Sequence, residues 1–291
     1  MDHDVYAKKV AAMCAVVRKA MPELSFTLLE IGAVPLEEGI QEPFYALLDH
    51  FPGSRVIAFE VDPQVCERLN AAARPGVRYY PYALGGRDEE RTFYITNHPM
   101  CCSLYEPDTA LLEIYNHLDV VLLKSTEKIT TTDLDGFMQR EGIVDADFIK
   151  IDVQGAELDV FRGGKKALGG VVQIISEVEF IPLYKDQPLF GDVCSYLGEF
   201  DLMFHKFLDL AGRTLKPVIV NNEPYYAGQH MWSDAVFIRH PNRLEELAPE
   251  KLLKLGVLAF LYASVDLAHY CFEQYDKRLG TNIREQIEQV L

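Results

Sequence analysis

A doubly wound α/β fold, built on a mainly parallel seven-stranded sheet with a helical extension at each end, is predicted by three features of the sequence. Apolar runs of strand length alternate with stretches of helical spacing from Phe26 onward, the signature of strands joined by crossover helices. The first run, FTLLEI, is short and mostly apolar and stops at Gly32, as a buried strand followed by a turn does. Small and acidic residues gather where the runs end, and an open α/β sheet binds its ligands beyond those ends.

The elements follow in order. Val5, Val10, Met13, Val16 and Val17 lie at helical spacing and predict an amphipathic helix before the first strand. Pro43 opens a helix that Pro52-Gly53 closes, RVIAFEVD forms the second strand, and Pro63 opens a helix through Asn70. VRYYPYAL reads as a third strand, and ERTFYIT as a further one that pairs with a neighbour as a hairpin-like addition. The stretch 97–128 holds a loop and a helix over ALLEIYNHL, after which Thr132 or Asp133 caps a helix. ADFIKIDVQ, VVQIISEVEF, DLMFHKFLDL and DAVFIRH are the remaining strands, with helices over AELDVFRGG and DVCSYLGEF between them. Continuous helix runs from about Pro241. The organisation expected is an N-terminal helical extension over 1–24, one catalytic domain over 25–240 and a C-terminal helical extension over 241–291.

Composition narrows the partners. Apolar residues make up 49% and charged residues 25%, which suits a folded chain with a sizeable core. The net charge of -16 repels phosphate backbones, so nucleic acid is not the expected partner. None of the six cysteines forms a C-x-x-C pair, no apolar run is long enough for a membrane span, and the charged N-terminus does not read as a signal peptide. Reduced thiols and a cytoplasmic location are expected, without membrane association. Leu253, Leu255, Val257, Leu258, Phe260 and Leu261 are too apolar for a solvated helix. They either pack on the sheet or form a homodimer contact.

The chemistry-bearing residues sit at strand ends. Glu30 and Gly32 close the first strand, where a glycine admits a close ligand and Glu30 either anchors a cationic amino group or orders the turn. In Phe59-Glu60-Val61-Asp62-Pro63, Glu60 is placed to accept from both hydroxyls of a ribose, and Asp62 to cap the following helix. Ala83, Leu84 and Gly85 suit the flat face of an adenine, or ordinary strand-end packing. The strand FIKIDVQGAE carries Lys150 and Asp152, two charges in an apolar run that imply pairing or a shared function.

FIKIDVQGAELDVFRGG, with SLYEPD before it and SEVEFIPLYKDQPLF and WSDAVFIR after it, resembles the FkbM family of S-adenosylmethionine-dependent methyltransferases. The resemblance covers residues 26 to 240 and keeps the motif order. It implies a class I methyltransferase sheet, Rossmann-like with two antiparallel strands at one end. It also implies S-adenosyl-L-methionine as cofactor and methyl transfer to oxygen on a small-molecule or carbohydrate acceptor. By motif position, Glu30 and Gly32 fall in the methionine-binding loop, Glu60 and Val61 at the ribose, and Ala83 and Leu84 near adenine. Ser103 then approaches the cofactor from above, Asp152 lies near the transferred methyl, and Glu177 faces the acceptor. The first motif departs from the family pattern, with Val34 and Leu36 standing for its Asn and second Gly.

Displacement at a sulfonium by an alcohol needs alignment and an acceptor for the hydroxyl proton. The catalytic candidates are Asp152, His205 and Glu177. A divalent cation on Asp152 and Glu177 is the less favoured variant, because no multi-carboxylate or histidine cluster is visible in the sequence. Two other classes compete: a binding protein on a methyltransferase-like scaffold, and an oxidoreductase, which the missing G-x-G-x-x-G fingerprint disfavours.

Overall fold

The computed structural model describes residues 3–33 and 42–290. The chain begins with α1 (His3–Ala20), β1 (Thr27–Ile31), the single turn α2 (Leu47–His50), β2 (Arg55–Phe59), α3 (Pro63–Ala72) and β3 (Val77–Tyr80). It continues through β4 (Ala83–Gly85), β5 (Glu89–Thr96), α4 (Thr109–Leu112), β6 (Leu123–Asp133) and α5 (Leu134–Arg140). Next come β7 (Phe148–Ile151), α6 (Glu157–Gly163), α7 (Lys165–Gly170), β8 (Gln173–Glu179) and α8 (Phe190–Gly198). The last elements are β9 (Leu202–Phe207), β10 (Ala211–Arg213), β11 (Gln229–Arg239), α9 (Pro249–Leu261), α10 (Val265–Leu279) and α11 (Ile283–Val290).

The main sheet runs β3-β2-β1-β7-β8-β11, parallel through β8 and antiparallel at β11. Both β9 and β10 then pair with β11, at opposite ends of its 11 residues. Among the described residues the sheet therefore has eight strands where seven were expected, because two short strands divide its last position. Strand order reverses between β1 and β7, and that is where a crevice opens.

A second sheet, β4-β6-β5, stands apart from the main one. VRYYPYAL is two strands: Pro81 has no N–H to give a ladder, and the chain leaves the main sheet there to pair Ala83 with Thr131. ERTFYIT does pair antiparallel, but with β6 in this separate sheet. The residues of β6 that come before Thr131 are almost all exposed and polar, so no apolar pattern announced the strand. The helix expected over ALLEIYNHL shrinks to the single turn α4.

Two cores sandwich the main sheet. On one face Phe26, Leu28 and Phe148 meet α1, α9 and α10; on the other Leu29, Ile149 and Phe59 meet α5, α6 and α8. Every residue of α9 from Leu252 to Leu261 is buried. The apolar run behind the homodimer alternative is thus covered by its own chain. Lys254 enters this core because Asp147, at the foot of β7, takes its ammonium at 3.0 Å together with that of Lys251 at 2.7 Å. No described helix is long and apolar enough to cross a membrane.

Candidate active site

The crevice at the strand-order reversal is a cleft of about 920 Å³. Ile31 and Gly32 after β1, Phe59 to Asp62 after β2, and Asp152 to Gln154 after β7 form one wall. Leu84 of β4, Ile95 of β5, Ile129 of β6 and Met100 form the other. Six of the residues assigned to the cofactor from sequence, Gly32, Glu60, Val61, Ala83, Leu84 and Asp152, therefore share one cleft.

Each is placed by its strand. Gly32 has φ +84°, and a Cβ there would stand 1.9 Å from the Asp152 carbonyl oxygen. What approaches this glycine is the backbone at the end of β7, so Gly32 sets the cleft floor by letting β1 and β7 close together. Glu60 is 7% exposed and accepts the Asp62 N–H at 2.9 Å. Burial lifts its carboxyl above the ordinary range, and the Asp62 amide opposes that shift. Asp62 caps α3, accepting from the Gln64 and Val65 amides at 2.8 and 3.3 Å.

Beside the cleft lies a second cavity of about 330 Å³, lined by Glu177, Glu179, Tyr184, Asp209, Arg213, Trp232 and Asp234. Asp152, Gln154 and Met100 line both spaces. The Gln154 side-chain amide donates to Asp152 Oδ1 at 2.8 Å and to Glu177 Oε2 at 2.6 Å. Its oxygen accepts from the Tyr184 hydroxyl at 3.1 Å, which fixes the amide's orientation. Gln154 holds this place with φ +55°, and Gly155 follows at φ +94°. Glu157 stabilises the turn by accepting the Val153 amide at 2.8 Å and the Gly155 amide at 3.3 Å. Carboxylate oxygens of Asp152, Glu157 and Glu177 all lie within 4.8 Å of one another. The carboxylate cluster invisible in the sequence is therefore present, although chain N–H donors already engage all three members. Burial lifts Glu177 well above the ordinary carboxyl range, with the Asp152 charge adding to it, and burial brings Glu157 to about 7.

The other candidates are placed elsewhere. Glu30 alternates away from the cleft and accepts the Tyr45 hydroxyl at 2.5 Å; burial lifts it to about 7. Ser103 is 1% exposed, donates to the Gln154 carbonyl at 2.6 Å and accepts the Tyr105 amide at 3.0 Å. It braces the turn carrying Gln154 and lines neither cavity. His205 also lines neither; its Nε2 stands 2.9 Å from Ser264 Oγ, tying β9 to the start of α10. Lys150 pairs not with Asp152 but with Asp234 of β11 at 2.8 Å. Burial opposes its charge, yet Asp234 and Asp152 outweigh that and hold the ammonium above its usual range. Val34 and Leu36 lie outside the described residues.

Sequence reasoning missed Gln154, Glu157, Glu179, Asp234 and Arg213 as lining or positioning residues. Gln154 and Glu157 stood inside the quoted motif, where a polar residue beside a glycine before a helix was the available signal. Glu179 and Asp234 stood in the two later motifs and Arg213 in none, and the sheet topology brings all three near.

The site thus offers a long, largely apolar cleft with one buried carboxylate at its far side, joined through Asp152 to a smaller polar chamber. Comparison with known proteins gives the same direction. The model of the FkbM methyltransferase domain matches residues 30–205, more than half of the chain. A 2-O-methyltransferase, NoeI of Sinorhizobium fredii (strain NBRC 101917 / NGR234), is 27% identical over 157 residues, 52% of this chain. The match spans 65% of that relative, just under two thirds of its length. With its domain match running from the end of β1 into β9, the chain belongs to the FkbM methyltransferase domain family.

Proposed function

We propose that the protein is an S-adenosylmethionine-dependent O-methyltransferase whose acceptor is a hydroxyl of a sugar or other small metabolite. The observation that carries this reading is the position of Asp152, a residue that lines both cavities. The donor set suits the cofactor: a buried carboxylate for two ribose hydroxyls at Glu60, and the apolar side chains of Val61, Leu84 and Ile95 for an adenine. When bound, S-adenosylmethionine supplies a methyl group made electrophilic by its sulfonium. The oxygen acceptor is supported by the name of the relative NoeI, a 2-O-methyltransferase.

The chain's own residues supply the rest. Glu60 would hold the ribose hydroxyls of the nucleoside in the cleft that Asp152 also lines. The acceptor hydroxyl would enter from the smaller chamber and pass its proton to Asp152 as its oxygen takes the methyl group, the methyl–sulfur bond breaking with its electron pair left on the sulfur of S-adenosylhomocysteine. Gln154 holds Asp152 in place through one amide proton and Glu177 through the other. Burial and the neighbouring Asp152 carboxylate hold Glu177 well above the ordinary carboxyl range, beside the position where the oxygen enters. Alignment of the reactants in a chamber this small supplies much of the acceleration.

Incubation with methyl-labelled S-adenosylmethionine and a set of methyl glycosides tests the reading. Label is expected in a base-stable methyl ether. Label in a base-labile methyl ester would replace the hydroxyl by a carboxyl acceptor. Absence of S-adenosylhomocysteine binding by calorimetry would instead favour a non-catalytic binding protein.

A further inference from the structure

Arg213 sits in the smaller chamber among carboxylates, yet no ion pair joins it to any of them among the described residues. Asp234 is engaged by Lys150 at 2.8 Å, and Glu177 is held by the Gln154 amide at 2.6 Å. Burial lifts both Glu177 and Glu179 well above the ordinary carboxyl range. Arg213 instead lies against two rings, 4.8 Å from the Trp232 centroid and 4.9 Å from that of Tyr225. Its Nη1 donates to the Gly212 carbonyl at 2.7 Å, while its Nε is buried with no hydrogen-bond partner among the described residues. Rings against the guanidinium leave its in-plane edge as the place for a ligand, and that edge is a fork matched to an oxyanion. A buried donor without a partner costs stability unless something fills the position in the working state.

We propose that Arg213 is a specificity-determining residue that binds an oxyanion, a carboxylate or phosphate ester, carried by the acceptor beside the hydroxyl to be methylated. The inference rests on the smaller chamber being the acceptor pocket. Trp232 and Tyr225 hold the guanidinium in orientation, and Asp152, which also lines the cleft, lines the same chamber. A neutral acceptor leaves the fork unfilled and is discriminated against for that reason.

The chain contains a single tryptophan, Trp232, so its fluorescence reports on this chamber alone. Full-length protein is titrated with sodium glucuronate, glucose 6-phosphate and glucose at matched ionic strength. At least one of the two anions is expected to shift Trp232 emission saturably, at about tenfold or more lower concentration than glucose. Which of them does so separates carboxylate from phosphate. Arg213→Met is expected to lose the difference, and Arg213→Lys to keep part of it. Circular dichroism checks the fold of both variants, and Arg213→Lys alone decides if Arg213→Met does not fold. Equal responses to the three sugars, no response to any, or undiminished anion binding by the variant that folds would overturn the proposal. S-adenosylhomocysteine affinity, measured in parallel, separates the two readings. Its absence beside a retained anion response removes methyl transfer and leaves the anion site; its presence without an anion response does the reverse.

Discussion

Asp152 and Glu177 lie 25 positions apart in sequence and are joined by one amide, that of Gln154. Replacing Asp152 by Asn removes the proton acceptor but keeps the shape. Turnover is expected to fall by roughly 10²–10⁴-fold, with S-adenosylhomocysteine affinity and melting temperature nearly unchanged. Unchanged turnover would remove Asp152 from the mechanism. Glu60→Ala acts on binding instead: losing a charged hydrogen-bond acceptor costs about 1.5–3 kcal/mol, read by calorimetry as roughly a 10- to 100-fold weaker cofactor product. Glu60 and Asp152 were legible because each is an acid ending an apolar strand. His205 was not, because a histidine on a strand gives no sign of which face it takes; its ring meets Ser264 on the side of the C-terminal helices. Glu30 and Ser103 followed motif position, and both spend their polar atoms on the chain itself.

At the scale of elements, the chain's least expected device is the foot of β7. Asp147 accepts the Thr27 amide at 2.9 Å, binding β7 to β1, and draws Lys251 and Lys254 of α9 into the core. Asp147→Ala leaves a buried ammonium that only Glu250, half exposed, still neutralises. Destabilisation of roughly 3–5 kcal/mol is expected from denaturant unfolding, and a loss below 1 kcal/mol would show that these ions do not clamp α9 to the sheet. Strands with near-continuous apolar runs were legible for a physical reason: a strand covered on both faces is apolar except where a polar side chain finds a partner, as Lys150 finds Asp234. The strand β6 was hidden for the converse reason, since hydrogen bonds to β5 and β4 hold it while most of its side chains stay in solvent. Its concealment took with it the cleft wall that Ile95, Ile129 and Met100 provide.

At the scale of the molecule, the C-terminal helices are part of the sheet's cover. A chain ending near His240 loses α9, α10 and α11 and bares the face formed by Phe26, Leu28 and Phe148. Such a chain is expected to aggregate in light scattering, and a soluble, cooperatively folded fragment would show the extension to be dispensable. Buried acids set the pH response. Folding moves Glu30 from 4.5 to about 7, so the stability tied to its protonated form is complete below about 4.5 and lost as pH rises through about 7. Glu30→Gln keeps a neutral acceptor for Tyr45, and its unfolding free energy is expected to decline less between pH 5 and pH 8, by roughly 2–3 kcal/mol. Parallel pH profiles for the two proteins would contradict this. The strand order that gathers Glu60, Asp152 and Glu177 at one end follows from the α/β alternation, which is why the location of the site was legible while its far chamber was not. Arg213, Trp232 and Asp234 belong to strands whose partners no local pattern specifies.

A crystal structure of the full chain with S-adenosylhomocysteine is the most direct measurement. The ribose hydroxyls are expected on the Glu60 carboxylate, the adenine between Leu84 and Ile95, and the sulfur turned toward Asp152 at the mouth of the second chamber. A nucleoside lodged anywhere else, or a cleft closed by its own side chains around an untouched Glu60, would contradict the assignment.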